Sequence, residues 1–192
     1  MIAIAKYNAG NIKSVENALN RLGYEAIVTD DEELLRSAEK VIFPGVGEAS
    51  SAMRYLQERG LDEVIRSLKQ PVLGICLGLQ LMCKHSEEGD TECLGIFSNS
   101  VLKFQGNFII PHMGWNNFTD TKGELLKGIN NDDDVYFVHS YYADIQSETM
   151  GICDFNQSFS ATIEKENFYA AQFHPEKSAD IGEKILKNFL EL

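Results

Sequence analysis

The N-terminal part of the chain alternates between two hydrophobic periods, and that alternation leaves few architectures open. "IAIAKY" is a short apolar strand, and "NAGN" leads into a helix whose Ile12, Val15, Leu19 and Leu22 share one face before Gly23 ends it. "YEAIV" reads as a second strand. "DDEELLRSA" reads as a helix capped by Asp30 with Glu33 three residues on, and "KVIF" as a third strand closing on "PGVG". Residues 49–69 are helical with a break at Gly60. "VLGI" then follows as a continuously apolar run, the pattern of a strand buried on both faces, and is expected at the centre of a parallel sheet.

Beyond about residue 87 the texture changes. "VLKF", "VYFVHSYY", "GICDF", "SFSATIE" and "FYAAQFH" are short strands separated by turns, without long helices between them. The expected fold is therefore α/β: a central, mostly parallel sheet flanked by helices, with an additional antiparallel or mixed strand layer from the second half. A last helix from Asp180 buries Ile181, Ile185, Phe189 and either Leu186 or Leu190 on one stripe. At 192 residues, with no repeat or linker, one compact domain is expected.

Charge and cysteine content remove several function classes. With 29 acidic against 17 basic residues and a net charge of −12, the surface repels phosphate backbones and anionic membranes, so neither nucleic acid nor a membrane is an expected partner. No apolar run approaches the ~20 residues of a bilayer span, and "MIAIAKYNAGN" carries neither a basic leader nor a cleavage pattern, so a cytoplasmic location is expected. Cys76, Cys83, Cys93 and Cys153 lack CxxC pairing and ligand-spaced histidines, which points to reduced thiols without zinc. The acidic "NDDDV" lacks a calcium-loop spacing and reads as a solvated turn.

One of those cysteines stands apart. Gly74-Ile75-Cys76-Leu77-Gly78 has the form of a nucleophile elbow, a sharp strand-to-helix turn that exposes the reactive atom at the carboxyl end of a sheet. Glycines on either side leave room for neighbouring backbone, and a helix starting at Leu77 directs its first amides at the sulfur, which favours the nucleophilic thiolate. A lone unpaired cysteine more often fills a core, and Cys83, Cys93 and Cys153 are read that way. Cys76 has a candidate partner: "AAQFHPEKS" ends another apolar strand at His174, followed by Pro175 and Glu176. If the two strands are parallel neighbours, His174 reaches Cys76 as general base and later general acid, and Glu176 orients the imidazole. That set points to acyl transfer through a thioester. "FPGVG", with Gly45 and Gly47 around Val46, can turn an amide toward a tetrahedral oxyanion, with the Leu77 amide as second donor.

"PGVG", "GICLGLQ" and "QFHPEKS" together resemble the class I, triad-type glutamine amidotransferases. That resemblance implies a flavodoxin-like fold forming one amidotransferase domain over residues 1–192, and release of ammonia from glutamine without cofactor or metal. It places the triad on Cys76, His174 and Glu176 and the oxyanion strand on Gly45, Val46 and Gly47. Glutamine is then held by Gln80, Glu88, Ser140 and Tyr141, beside the Leu77 amide. A carboxylate such as Glu88 suits the ammonium of an amino acid; the choice of Glu88 over Glu87 comes from the resemblance alone.

More narrowly, "YNAGN", "PHMGWN" and "YFVHSYY" resemble the glutaminase subunits of imidazole glycerol phosphate synthase, in histidine biosynthesis. Such subunits form a heterodimer with a cyclase subunit and pass ammonia to it through a channel. The resemblance places the docking surface at Met113 and Trp115, with Asn11, Tyr136 and Lys177 at its mouth. Ile109-Ile110 departs from the pattern, since relatives commonly carry a base there. Two other readings stand beside this one. The first is a class I glutaminase feeding another synthase, such as an aminated-sugar pathway; a pyridoxal phosphate pathway fits less well, because its glutaminase is expected to lack PGVG. The second is a flavodoxin-like binding module with a vestigial site.

Overall fold

A computed structural model describes residues 1–192. The N-terminal part runs β1 (Ile2–Ala5), α1 (Ile12–Arg21), β2 (Ala26–Thr29), α2 (Glu32–Ser37), β3 (Lys40–Gly45), α3 (Ala49–Glu58), α4 (Leu61–Ser67), β4 (Val72–Cys76) and α5 (Leu77–Met82). The chain continues through β5 (His85–Ser86), β6 (Thr91–Glu92), β7 (Ser100–Lys103), β8 (His112–Asn116), β9 (Phe118–Thr121), β10 (Val135–His139) and β11 (Tyr141–Ala143). It ends with β12 (Thr149–Phe155), β13 (Gln157–Lys165), β14 (Phe168–Ala171), a 3-10 turn at Pro175–Lys177 and α6 (Ala179–Leu190).

An eight-stranded sheet in the order β2-β1-β3-β4-β14-β13-β12-β9 forms the body. Its first five strands are parallel, and β4, buried along its whole length, lies between β3 and β14. The second half does more than add a separate layer. β13, β12 and β9 continue the main sheet antiparallel, while β11-β7-β5-β6 and β10-β8 form two smaller sheets beside it. Extending the main sheet covers an edge of β14 that would otherwise expose unpaired backbone groups.

The expected helices form, with one cap displaced. Asp31, not Asp30, caps α2: its carboxylate accepts the Leu34 amide at 2.9 Å, and the Thr29 hydroxyl accepts the Asp31 amide at 3.0 Å, holding that residue extended. Gly60, at φ 68, separates α3 from α4. On α6 both Leu186 and Leu190 are buried together with Ile185 and Phe189, whereas Ile181 is half-buried.

Helix α5 lies unusually close to the sheet. A Cβ on Gly78 would stand 1.9 Å from the Phe43 carbonyl oxygen of β3, a contact with backbone that no side-chain rotation relieves. Gly78→Ala is therefore expected to destabilise the protein by about 3 kcal/mol or more, at or beyond the upper end for an overpacked site, read as a drop in the urea midpoint. A midpoint equal to that of the parent would mean that α5 can lift from β3 without cost.

Candidate active site

Because β14 runs parallel to β4, with Ala171 opposite Ile75, the segments leaving both strands emerge at the same edge of the sheet. Cys76 ends β4 at φ 54 and ψ −105, a backbone conformation rarely adopted by residues with a side chain and costing about 1–3 kcal/mol. Gly74 relieves crowding behind the turn, since a Cβ there would meet Met82 Sδ at 2.8 Å and the Gly78 carbonyl carbon at 3.0 Å. His174 follows β14 and is fully buried. Its Nδ1 lies 2.7 Å from Glu176 Oε1, and its own amide donates to the Tyr136 carbonyl at 2.9 Å. The turn between them is stapled in place: Ser178 Oγ donates to the His174 carbonyl at 2.7 Å and accepts the Tyr136 amide at 2.9 Å.

Burial by itself disfavours a charged imidazole. For His174 the neighbouring Cys76 and the hydrogen bond and charge of Glu176 outweigh it, raising the pKa from 6.5 to about 10. Its Nε2 is buried and makes no hydrogen bond within the protein. By linkage, this stabilisation is complete below pH 6.5 and is lost as pH rises toward about 10. Cys83, Cys93 and Cys153 are ordinary buried thiols; burial pushes all three up, Cys93 to about 12.

A cavity of about 250 Å³ opens over Cys76. Its wall includes Val46, Gly47, Leu77, Gln80, Glu88, Ser140 and Tyr141, together with Pro111, Val138 and His139. Gly45 lies one step behind, paired with Cys76 in the β3–β4 ladder, and a Cβ on it would meet the Tyr7 hydroxyl at 2.1 Å. Gly47 has φ 141, and the Val46 carbonyl accepts the Gly10 amide at 3.2 Å. Glu88 faces the cavity, half-buried and with its pKa raised by burial, while its Oε2 accepts the Ala49 amide at 2.8 Å. Glu87 turns away to accept the Lys103 amide at 2.7 Å. Gln80 spends both amide hydrogens inside the protein, on the Tyr141 carbonyl at 2.9 Å and on Gln172 Oε1 at 3.1 Å, which leaves its Oε1 for a ligand.

The residues expected at the docking mouth divide between two places. Met113 and Trp115 project from β8 with 62% and 55% of their surface exposed, so Trp115 is not a core anchor. Tyr136 pairs across from Trp115 with ring centroids 5.8 Å apart, and Lys177 is exposed beside the His-Glu turn. Asn11 is half-buried, and its Nδ2 donates to Glu176 Oε1 at 2.5 Å and lies 3.3 Å from His174 Nδ1. Ile109 is 88% exposed next to this face. Gln172, unassigned from sequence, is fully buried and donates from Nε2 to Cys76 Sγ at 3.7 Å. Its signal was present as the one polar residue in the apolar run "FYAAQF".

A thiol on a strained turn, a histidine held by a carboxylate, and a small cavity beside them are the parts that acyl transfer through a cysteine requires. The family model for "Glutamine amidotransferase class-I" matches residues 5–192, and the chain belongs to that family: it is a glutamine amidotransferase. Within the family it is 56% identical to imidazole glycerol phosphate synthase subunit HisH of Bacteroides fragilis, over 100% of this chain and 99% of that protein. Subunit HisH of Bacteroides thetaiotaomicron is 54% identical over 100% and 99%, and subunit HisH 2 of Legionella pneumophila strain Paris 48% over 100% and 98%. Two solved structures share the fold at low identity. One, a glutamine amidotransferase, is 18% identical, with TM-score 0.77 over 99% of this chain and 97% of that one. The other, PurLQS from Thermotoga maritima, is 17% identical, with TM-score 0.73 over 99% and 97%.

Glu176→Gln removes the charge that favours the imidazolium, so the His174 pKa is expected to fall. Ring-proton NMR checks this: His174 of the parent stays protonated through neutral pH, and the variant titrates at lower pH. Identical titrations would separate Glu176 from the charge state of the ring.

Proposed function

We propose that this chain, acting as one amidotransferase unit over residues 1–192, is the glutaminase subunit of an imidazole glycerol phosphate synthase, in the cytoplasm. The carrying observation is the strained Cys76 turn beside the buried His174–Glu176 pair at one end of the sheet. Cys76 gives its thiol proton to His174 and its Sγ attacks the side-chain carbonyl of glutamine, and the oxyanion forms against the Leu77 amide and, once the Gly45–Gly47 segment turns, the Val46 amide. His174 gives its proton to the departing nitrogen as the C–N bond breaks, which leaves a thioester and ammonia. Water then loses a proton to His174 as its oxygen attacks the thioester, and the C–S bond breaks to release glutamate. Glu88 and the Gln80 Oε1 bind the ammonium of glutamine, and the Ser140–Tyr141 segment lines the other wall. Asn11 and Glu176 hold the imidazole in one orientation.

Ammonia passes to a cyclase subunit docked on the face carrying Met113, Trp115, Tyr136 and Lys177. The paired aromatic and thioether side chains there are of the kinds enriched at interface cores, and full-length identity above one half to HisH subunits supports the same assembly.

Cys76→Ser is expected to lower glutamine hydrolysis by about 10²-fold or more and to leave ammonia-dependent turnover of the complex intact. A glutamine-analogue alkylator is expected to label Cys76 and spare the other three thiols, read by peptide mass spectrometry. Hydrolysis at the parent rate in the serine variant would rule out the thioester. The oxyanion segment also makes hydrolysis sensitive to the partner: rates are expected to rise from the chain alone, to the complex, to the complex with the cyclase ligand. A ~100-fold rise corresponds to about 2.7 kcal/mol, the contribution of one oxyanion donor. Equal rates in all three would make the chain a constitutive glutaminase.

A further inference from the structure

Two histidines outside the His174–Glu176 pair form a hydrogen-bonded line that ends on the cavity wall. His139 Nδ1 lies 2.8 Å from the Tyr141 carbonyl oxygen, and His139 Nε2 lies 2.9 Å from His112 Nδ1. A carbonyl only accepts, so His139 carries its proton on Nδ1. In a neutral ring Nε2 is then an acceptor, which obliges His112 to donate from Nδ1. His112 Nε2 is left as an acceptor, and Asn116 Nδ2 faces it at 3.4 Å. Every bond points the same way, and each tautomer is fixed by the one before it.

Both rings are confined. His112 and His139 are each 5% exposed, and His112 is stacked between Phe137 and Phe155 at centroid distances of 5.0 and 4.0 Å. A proton added to His139 would set two N–H groups against each other in place of the bond to His112. Burial opposes that state, lowering His139 to about 3 and His112 to about 4. His139 lines the cavity, yet both of its nitrogens are engaged, so it neither supplies nor takes a proton.

The Tyr141 carbonyl is where this line meets a second one. Gln80 donates to the same oxygen at 2.9 Å and to Gln172 Oε1 at 3.1 Å, and Gln172 donates to Cys76 Sγ at 3.7 Å. The Ser140–Tyr141 wall is thereby tied on one side to the nucleophile and on the other to β8, whose outward side chains are Met113 and Trp115. We propose that His112 and His139 are positioning residues for glutamine binding, which act by fixing the Tyr141 carbonyl and with it the Ser140–Tyr141 wall of the cavity. The inference rests on the reading of this cavity as the glutamine site.

The test uses His112, which lies behind the wall. His112→Phe fits the slot between Phe137 and Phe155 but leaves His139 Nε2 as a buried acceptor without a donor. His112→Asn keeps a donor near the Nδ1 position. In the complex with the cyclase, the phenylalanine variant is expected to raise the KM for glutamine about tenfold with kcat within about threefold, and the asparagine variant to bring KM back to within about threefold of the parent. An unchanged KM for folded His112→Phe, or no difference between the two variants, would overturn the proposal. Nitrogen-15 NMR of the parent's imidazoles adds a readout that does not depend on the variants folding. His139 is expected as the Nδ1–H tautomer, with neither ring titrating between about pH 5.5 and 8. An Nε2–H tautomer at His139, or titration in that range, would remove the hydrogen-bonded line itself. Failure of the glutaminase reading shows separately, as full hydrolysis in Cys76→Ser.

Discussion

The close approach of α5 to β3 at Gly78 is the constraint on which the site depends. A residue at φ 54 and ψ −105 relaxes unless the structure on both sides holds it, and here the strand before Cys76 is locked into a parallel ladder while the helix after it is pressed onto the Phe43 carbonyl. The strain is thus maintained by the core of the protein. A cluster of 29 buried residues on one side of the sheet and one of 26 on the other keep β3, β4 and α5 in register, and Cys76 belongs to the second of these. The same arrangement recurs at His174. There α6 comes so close to the turn that a Cβ on Gly182 would meet the Pro175 carbonyl oxygen at 1.9 Å. Each half of the Cys-His pair is therefore positioned by a helix resting directly on backbone, with glycine at the contact.

Much of this is legible in the amino-acid order. Alternating periods in the first half give the parallel strands and the central β4, and the Gly-flanked cysteine gives the strained turn, because both depend on local sequence. The partner strand of Cys76 is legible only conditionally, since nothing local says that β14 returns to lie beside β4. For the same reason the destination of β13, β12 and β9 is hidden: an antiparallel strand has the same alternation whether it extends the main sheet or starts another. Asp31 displaces Asp30 as the cap: the Thr29 hydroxyl accepts the amide two residues on, which is that of Asp31.

The candidate site divides along the same line. Cys76, His174 and Glu176 carry a pattern in sequence; Glu88 over Glu87 comes only from resemblance, and the structure separates them by which amide each carboxylate accepts. His112 and His139 carry no signal at all. They meet only through the β8–β10 register, in which His139 lies opposite His112, and nothing local in either strand announces that pairing. Resemblance puts Asn11 at the docking mouth. The structure adds a contact that neither sequence nor resemblance announces: with its backbone left-handed at φ 79 at the start of α1, its side-chain amide donates to Glu176.

The chain holds a single tryptophan, and that residue is on the exposed side of β8, edge-on to Tyr136. Intrinsic fluorescence excited at the indole band is therefore a one-residue signal located at one surface. Because Trp115 is already half in water when the protein is folded, its emission has little further to shift on unfolding. Covering it with another protein changes its surroundings far more, so the unlabelled chain carries its own optical reporter of association, largely silent to the folding of the rest.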